Sequence, residues 1–293
     1  MTRKHIVIDQ NAFRKEGLLC PAMTSAKNNG ENIVVTDMAL VEMMKSDQWE
    51  STTKRSLSIL ATEPQLVICS KGIGPMMKEE YDSGAPCAYI FDDEVSNRFR
   101  RLLGEVSGGD DTTFEHVRKV IGAARDLAKH QHLDHGRNKA ALMTIVDAWK
   151  KDLTAEQLRR LRGSDEQLTR ELLSESEMQS TCFNALVGAG YDRSKAARLT
   201  MDPSVSSHEF LCFVAVGLRW LDGLGAADEK KVTNDLADKD YVVTATFCRD
   251  LVSEEKRVQE QFARINDVID RRARLFESIV QSSLAMPPEE PAS

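Results

Sequence analysis

The chain has 293 residues and a formal net charge of −7 at pH 7; 41% of its residues are hydrophobic and 29% are charged. At about 150 residues per domain this length allows one large domain or two modest ones, and the composition excludes a collagenous, low-complexity or intrinsically disordered chain. The negative charge argues against a surface covered in positive charge for bulk nucleic-acid binding, while a local basic groove remains compatible with it.

The N-terminal third alternates short apolar strands with helices. The candidate strands are residues 5–9 (HIVID), 33–36 (IVVT), 65–70 (QLVICS) and 88–91 (AYIF). The first three are β-branched runs followed by polar or turn residues, which is typical of strands buried on both faces of a parallel sheet. Residues 37–45 and 50–61 have helical spacing, and Thr36 or Asp37 can serve as an N-cap. This alternation predicts βαβ units in an α/β fold.

The middle of the chain, residues 92–225, has nearly continuous helical spacing. Apolar residues recur three or four positions apart, with Gly-rich or capping breaks between them. The predicted helices are residues 111–129, 137–150, 154–161, 166–186 and 206–221. We therefore expect a large helical insertion or subdomain over residues 92–225.

The C-terminal part returns to a mixed pattern. It predicts a helix at 234–246, a short strand at 250–253 (DLVS), a long amphipathic helix at 254–284 and a disordered tail at 285–293. If the returning strand joins the N-terminal sheet, both ends of the chain build one domain, made of residues 1–91 and 226–284.

Polar side chains with metal-binding chemistry lie at the predicted strand ends. Asp9 and Asn11 follow the first strand, while Ser253 and Glu255 lie at and just beyond the end of the returning one. Ligands of open α/β sheets bind outside the carboxyl ends of the strands, so these residues are expected to share a crevice. Glu42 lies on the helix after the second strand, and Asp238 lies on the helix before the last strand.

This ordered set resembles the PIN-like nuclease superfamily. The resemblance covers about the first 90 and the last 60 residues, on element lengths expected for a βαβ domain. Its most specific part is NDLADKDYVVTATFCRDLVSEEKR, since PIN-like proteins often carry Asn, Asp, Tyr and Ser-x-Asp-Lys in that order. One departure is visible, because Glu255, with Glu254 beside it, stands where the last acid is usually Asp.

The resemblance implies a PIN-like (Rossmann-like) parallel sheet flanked by helices and a metal-dependent endoribonuclease, frequently a bacterial toxin or defence effector. Mg²⁺ or Mn²⁺ prefers oxygen ligands and can activate a water for phosphodiester hydrolysis. The expected catalytic and metal-binding residues are Asp9, Glu42, Asp238 and Glu255, supported by Asn11, Ser253, Glu254 and Asp235. RNA is the expected substrate, and a protein partner or inhibitor could dock on the helical insertion or the C-terminal helix.

Two other functions stay open at this stage. An interaction protein with a degenerate acidic site would carry the same sequence pattern, and a DNA-directed nuclease of related fold would use the same acids. Each acidic residue taken singly is also compatible with helix capping or solvent exposure, and Asp37 fits capping better than catalysis.

Other patterns carry weaker signals. His130, His132, Asp134 and His135 lie in a polar stretch without the regular spacing of a zinc site. Arginines run together at Arg98, Arg100 and Arg101, at Arg159, Arg160 and Arg162, and at Arg271, Arg272 and Arg274; such runs usually form solvated helix faces, although one could line a phosphate groove.

The start MTRKHIVIDQ lacks the features of a signal peptide, and no run of about 18 apolar residues occurs, so the expected location is the cytoplasm with no membrane contact.

Overall fold

The computed structural model of the chain describes residues 3–44, 48–108, 115, 135–162, 165–174, 176–221 and 224–285. Apart from residue 115, the helix expected at 111–129 lies outside the described residues, as do His130, His132 and Asp134. Of the tail expected at 285–293, only Ala285 is described, and it ends a helix.

A mostly parallel five-stranded sheet forms the centre of the α/β fold. The strands are β1 (Ile6–Ile8), β2 (Ile33–Val35), β3 (Val67–Ser70), β4 (Phe91–Asp92) and β5 (Asp250–Val252), in the spatial order β4-β3-β2-β1-β5. β5 pairs in parallel with β1, with Val7 opposite Leu251. This confirms the prediction that the strand near the C-terminus returns to the N-terminal sheet.

Helices surround the sheet. In chain order, the described helices are α1 (Glu16–Asn29), α2 (Asp37–Met44), α3 (Trp49–Leu60), α4 (Ile73–Ser83), α5 (Asp93–Gly108), α6 (His135–Asp152), α7 (Ala155–Arg162), α8 (Glu166–Ser174), α9 (Ser176–Gly188), α10 (Arg193–Met201), α11 (Val205–Arg219), α12 (Glu229–Ala245) and α13 (Lys256–Ala285). A short 3-10 helix, Gln10–Arg14, connects β1 to α1.

Several predicted elements need correction. The strand expected at 88–91 is instead β4, which begins at Phe91 and pairs antiparallel with β3. The sequence reasoning missed α1, whose interior contains Pro21, a residue that removes one helical hydrogen bond. The helix expected at 166–186 is described as two helices, α8 and α9, on either side of residue 175. The last helix begins at Lys256, so Glu254 and Glu255 lie in the connection between β5 and α13.

The sheet and the predicted insertion share one hydrophobic core. Val7, Val34 and Val35 are fully buried, as expected for strands covered on both faces, and the same core continues into Leu142 on α6 and Leu211 on α11. Helix α5, which follows residue 91, packs directly on β3. In the part of the chain that the structure describes, no helix is long and apolar enough to cross a membrane.

The strand order places a crevice at the carboxyl end of β1. From β1 the chain proceeds to β2 and then β3 on one side, whereas β5 lies on the other side of β1. In open α/β sheets this change of direction leaves a crevice outside the strand ends, where ligands bind. The residues that directly follow β1 and β5 therefore face the same space.

Glu80 is a fully buried carboxylate that joins α4 to the start of α11. Its oxygens accept hydrogen bonds from the backbone N–H groups of Val205 and Ser206, both at 2.8 Å, and from the Ser206 hydroxyl at 2.6 Å. The Cys87 N–H donates a further bond at 2.9 Å. These contacts satisfy the first N–H groups of α11 and place a negative charge at the positive end of that helix.

We expect Glu80→Gln to lower the free energy of unfolding by about 2 kcal/mol, because the amide turns one acceptor into a donor that faces other donors. Urea unfolding at neutral pH measures the change. Glu79→Gln is the matched control: Glu79 is partly exposed and pairs with Lys71, so its substitution should cost under about 1 kcal/mol. Equal costs for the two variants would contradict the structural role of Glu80.

Candidate functional site

Two neighbouring strands end at the core of the site. Asp9 directly follows β1, and Ser253 directly follows β5, whose last residue pairs with Ile8. The Ser253 hydroxyl donates a 2.6 Å hydrogen bond to Asp9 Oδ2, and the Asn11 N–H donates to Asp9 Oδ1 at 3.3 Å. Asp9 is only 1% exposed. Its carboxylate is thus oriented by both a side chain and the turn that follows the strand.

Glu42, on α2, also lies near the carboxyl end of β1. Helix α2 follows β2, which is on the side of β1 opposite to β5. The buried Tyr241 hydroxyl on α12 donates a 2.7 Å hydrogen bond to Glu42 Oε2. Packing of α2 against the 3-10 helix that follows Asp9 keeps Glu42 near the end of β1. Tyr241 was not among the residues singled out from the sequence, although it lies in the segment that carries the family resemblance.

Asp238 and Glu255 complete the cluster from the C-terminal part of the chain. Asp238 is on α12 and 8% exposed. Glu255 precedes the first turn of α13; the Ser253 hydroxyl accepts its N–H at 3.0 Å, and Asn11 Nδ2 donates to Glu255 Oε1 at 3.3 Å. Residues separated by more than 240 positions are therefore in direct contact.

Burial and mutual repulsion raise the pKa of two of these acids. Burial raises the pKa of Asp9 to about 6 against the opposing Ser253 hydrogen bond, and the charges of Glu42 and Glu255 add to the increase. Burial raises the pKa of Asp238 to about 8 although Arg257 opposes it, and Glu255, Asp9 and Glu42 contribute further repulsion. The four predicted acids thus influence one another electrostatically in one pocket.

Arg257 is the principal residue that the sequence reasoning missed. Its guanidinium forms ion pairs with Asp235 at 2.5 Å, with Asp238 at 2.6 Å and with Glu255 at 2.5 Å. The available signal was its position two residues after Glu255, in the first turn of the last helix. Because it joins three carboxylates, Arg257 neutralises part of the negative charge of the pocket.

Asp235 faces Arg257 rather than the other acids. Its side chain is 1% exposed; Trp220 Nε1 donates to Oδ2 at 2.9 Å, and Arg219 lies 3.4 Å from the same oxygen. Asp235 is therefore satisfied by two arginines and an indole. Its position supports a role in orienting Arg257 rather than in direct ligand binding.

Glu254 points away from the pocket. Its side chain is 48% exposed and pairs with Lys15 at 2.8 Å. Of the two adjacent glutamates, Glu255 is the one that lies with Asp9 and Asp238.

The Thr36 hydroxyl accepts the Ala39 N–H at the start of α2, so the capping expected at residue 36 or 37 includes Thr36.

The donor set has the chemistry of a Mg²⁺ or Mn²⁺ site, since all four acids offer hard oxygen ligands with excess negative charge. Within the described ranges, however, no three His, Cys, Asp or Glu side chains form a group already arranged to hold a metal ion. The contacts of Arg257 with Asp238 and Glu255 give one reason, because a guanidinium occupies oxygens that a cation would use. The residues fit a divalent cation chemically, and binding requires Arg257 to give up at least part of its contacts.

The remaining sequence candidates lie elsewhere. His135, at the start of α6, hydrogen-bonds to the Thr233 hydroxyl at 2.8 Å. Members of each arginine run have local partners: Arg98 pairs with Glu94, Arg159 with Glu156, and Arg271 with Asp267. These pairings are those of solvated helix faces.

Comparison of the chain with protein-family models, with curated proteins and with solved structures found no match.

The raised pKa of Asp9 predicts that Asp9→Asn gains stability over wild type, by an amount that depends on pH, when a chelator is present. Folded Asp9 retains its proton up to a higher pH than unfolded Asp9, so wild-type stability falls between about pH 4 and about pH 6. The neutral amide avoids this loss. We expect Asp9→Asn to exceed the wild-type free energy of unfolding by about 2 to 3 kcal/mol at pH 7, with the gain vanishing near pH 4.

Urea unfolding across this pH range measures the gain. Asp82→Asn is the control, because Asp82 is exposed and pairs with Lys78 on α4, and its stability should stay within about 0.5 kcal/mol of wild type. A gain for Asp9→Asn that is independent of pH would show that the raised pKa of Asp9 is not its cause.

Proposed function

We propose that this chain is a metal-dependent endonuclease that hydrolyses phosphodiester bonds of RNA. The observation that supports the proposal most is the grouping of Asp9, Glu42, Asp238 and Glu255, from both parts of the chain, near the carboxyl ends of β1 and β5, with Asp9 and Asp238 buried. Burial raises the pKa of Asp9 and of Asp238, even though Arg257 pairs with Asp238, and acids with raised pKa values cluster at functional sites.

The chain's own residues would hold and orient the ligand oxygens. Asp9, Glu42, Asp238 and Glu255 supply the carboxylates that would hold Mg²⁺ or Mn²⁺. Ser253 fixes the orientation of Asp9, and Tyr241 fixes that of Glu42. Such hydrogen bonds to ligand residues commonly set both metal affinity and reactivity.

A divalent cation, when bound, would lower the pKa of an attacking water and offset the charge of the phosphate oxygens. Asp9 and Asp238 would have to be ionised to hold a cation, so its binding would favour loss of their protons, most of all from Asp238, whose pKa is raised to about 8. The pocket excludes bulk water from Asp9, which strengthens its interaction with any positive charge.

One specific observation favours a second candidate, an interaction protein with a degenerate site. Arg257 already compensates three carboxylates, as a structural ion-pair network would. In that case the acids stabilise the junction of α12 and α13, and the chain acts by binding a partner.

The decisive test is cleavage of unstructured RNA by the purified chain with Mn²⁺ or Mg²⁺, with single-stranded DNA assayed in parallel. We expect RNA cleavage that EDTA abolishes and that falls by about 100-fold or more in Asp9→Asn and in Asp238→Asn. Asp82→Asn is the control with the same change in charge and should cleave at the wild-type rate.

Folding of each variant is checked by circular dichroism. Undiminished metal-dependent cleavage in both pocket variants would refute the site assignment. Preferred cleavage of DNA would favour the DNA-directed nuclease, and no cleavage of either polymer would favour the interaction protein.

Arg257 and a metal ion would compete for the same carboxylate oxygens, and this competition gives a separate prediction. Removing a positive charge from the pocket should raise its cation affinity, so Arg257→Gln is expected to bind Mn²⁺ about tenfold more tightly than wild type. Titration calorimetry measures the affinity. Arg257→Lys keeps the charge and should stay near wild type, and unchanged or weaker binding by Arg257→Gln would contradict the competition.

A further inference from the structure

A basic groove lies beside the acidic pocket. It has a volume of about 710 Å³ and is lined by the start of α1, one face of α3 and the connection before α13. Its cations are Arg14, Lys15 and Arg55, and its carboxylates are Glu16 and Glu254. Cations thus outnumber carboxylates here, although the chain as a whole has a net charge of −7.

Two segments of the chain link the groove to the acidic residues. Arg14 ends the same 3-10 helix that contains Asn11, and Asn11 donates a hydrogen bond to Glu255 in the pocket. On the other side, Glu254 lines the groove while the next residue, Glu255, belongs to the pocket. Two segments of backbone therefore contribute residues both to the groove and to the acidic site, which places the groove and the site close together.

The two arginines of the groove are available to an external anion. Both are exposed, and neither forms an ion pair with any residue that the structure describes. The side-chain contact of Arg14 is a long hydrogen bond of 3.5 Å to Gln10. By contrast, Arg98 and Arg159, which belong to the conspicuous arginine runs, each pair with a glutamate on their own helix.

The N-terminus of α1 adds a second source of positive potential to the groove. Its N-cap residue, Lys15, provides no side-chain hydrogen bond to the first turn, and Glu16 and Gly17 of that turn line the groove. Uncapped N–H groups and the helix dipole favour an anion at such an end. Lys15 itself pairs with Glu254, so the free positive charge comes from the two arginines and the helix end.

We propose that this groove binds the phosphate backbone of a nucleic acid strand and leads it to the acidic pocket. The proposal rests on the proposed nuclease function and adds the path of the substrate. Arginine side chains and helix N-termini commonly contact phosphate oxygens, and such contacts position a strand on a protein without reading its bases. The groove therefore positions a strand without selecting its sequence.

Binding is measured by fluorescence anisotropy with a labelled single-stranded RNA of about 15 nucleotides. EDTA is present and every chain carries Asp9→Asn, so that the probe stays intact. The added pair Arg14→Gln and Arg55→Gln should weaken binding about tenfold and reduce the slope of log affinity against log salt by about 0.7 for each arginine. Arg14→Lys with Arg55→Lys should restore most of the affinity, because a phosphate accepts a point charge.

The pair Arg98→Gln and Arg159→Gln is the matched control, since it removes the same charge from exposed helix faces and should leave the affinity unchanged. Equal weakening by both pairs would overturn the proposal by showing that only net charge matters. Unchanged affinity and salt slope in the groove pair would also overturn it.

The cleavage assay separates this proposal from the nuclease function. If the wild-type chain cleaves RNA and the groove pair binds normally, the groove assignment fails while the function stands. If the groove pair loses binding but the wild-type chain cleaves nothing, the groove stands as a backbone-binding site and the nuclease function fails.

Discussion

Buried negative charge at the carboxyl ends of β1 and β5 is the constraint on which the surrounding architecture depends. Asp9 and Asp238 are almost fully removed from water, and the pKa of each is raised by that burial. Ionised carboxylates in such a setting need a nearby cation or a proton. Arg257, through its three ion pairs, supplies part of the positive charge that these carboxylates require. A divalent cation is chemically suited to offset the negative charge that remains.

Hydrogen bonds from neighbouring side chains fix the orientation of the acidic side chains in the pocket. Ser253 holds Asp9, Tyr241 holds Glu42, and Asn11 contacts Glu255, so three of the four carboxylates have a defined neutral partner. These partners come from strand ends and from a buried helix. Groups fixed by a rigid scaffold lose little entropy when they bind a ligand, which is how strand-end sites in α/β folds operate.

Charge is separated over a short distance in this region. Asp9 and Asp238 are buried at the strand ends, whereas Arg14 and Arg55 line the neighbouring groove without carboxylate partners among the described residues. A phosphate chain would be attracted to the groove and approach the pocket once a cation has offset the acids. The basic groove and the acidic pocket therefore form two parts of one proposed substrate path.

The sequence by itself determined the central strands, because the apolar, β-branched runs within HIVID and QLVICS are typical of strands buried in a sheet. It also singled out Asp9, Glu42, Asp238 and Glu255, because acids at strand ends and in the motif-bearing segment are visible as local patterns. The helix α1 was missed, since its proline weakens the helical signal. The fourth strand was predicted at residues 88–91 instead of Phe91–Asp92, because a two-residue strand has almost no sequence pattern of its own.

Only the tertiary structure decided which charges meet. Arg257 lies two residues after Glu255, but its ion pairs with Asp235 and Asp238 form because the start of α13 packs beside α12. In the same way, Arg98, Arg159 and Arg271 pair with acids on their own helices, whereas Arg14 and Arg55 line one groove from separate elements. Local periodicity specifies an element and its buried face, but the interactions of charges distant in sequence depend on how the elements pack.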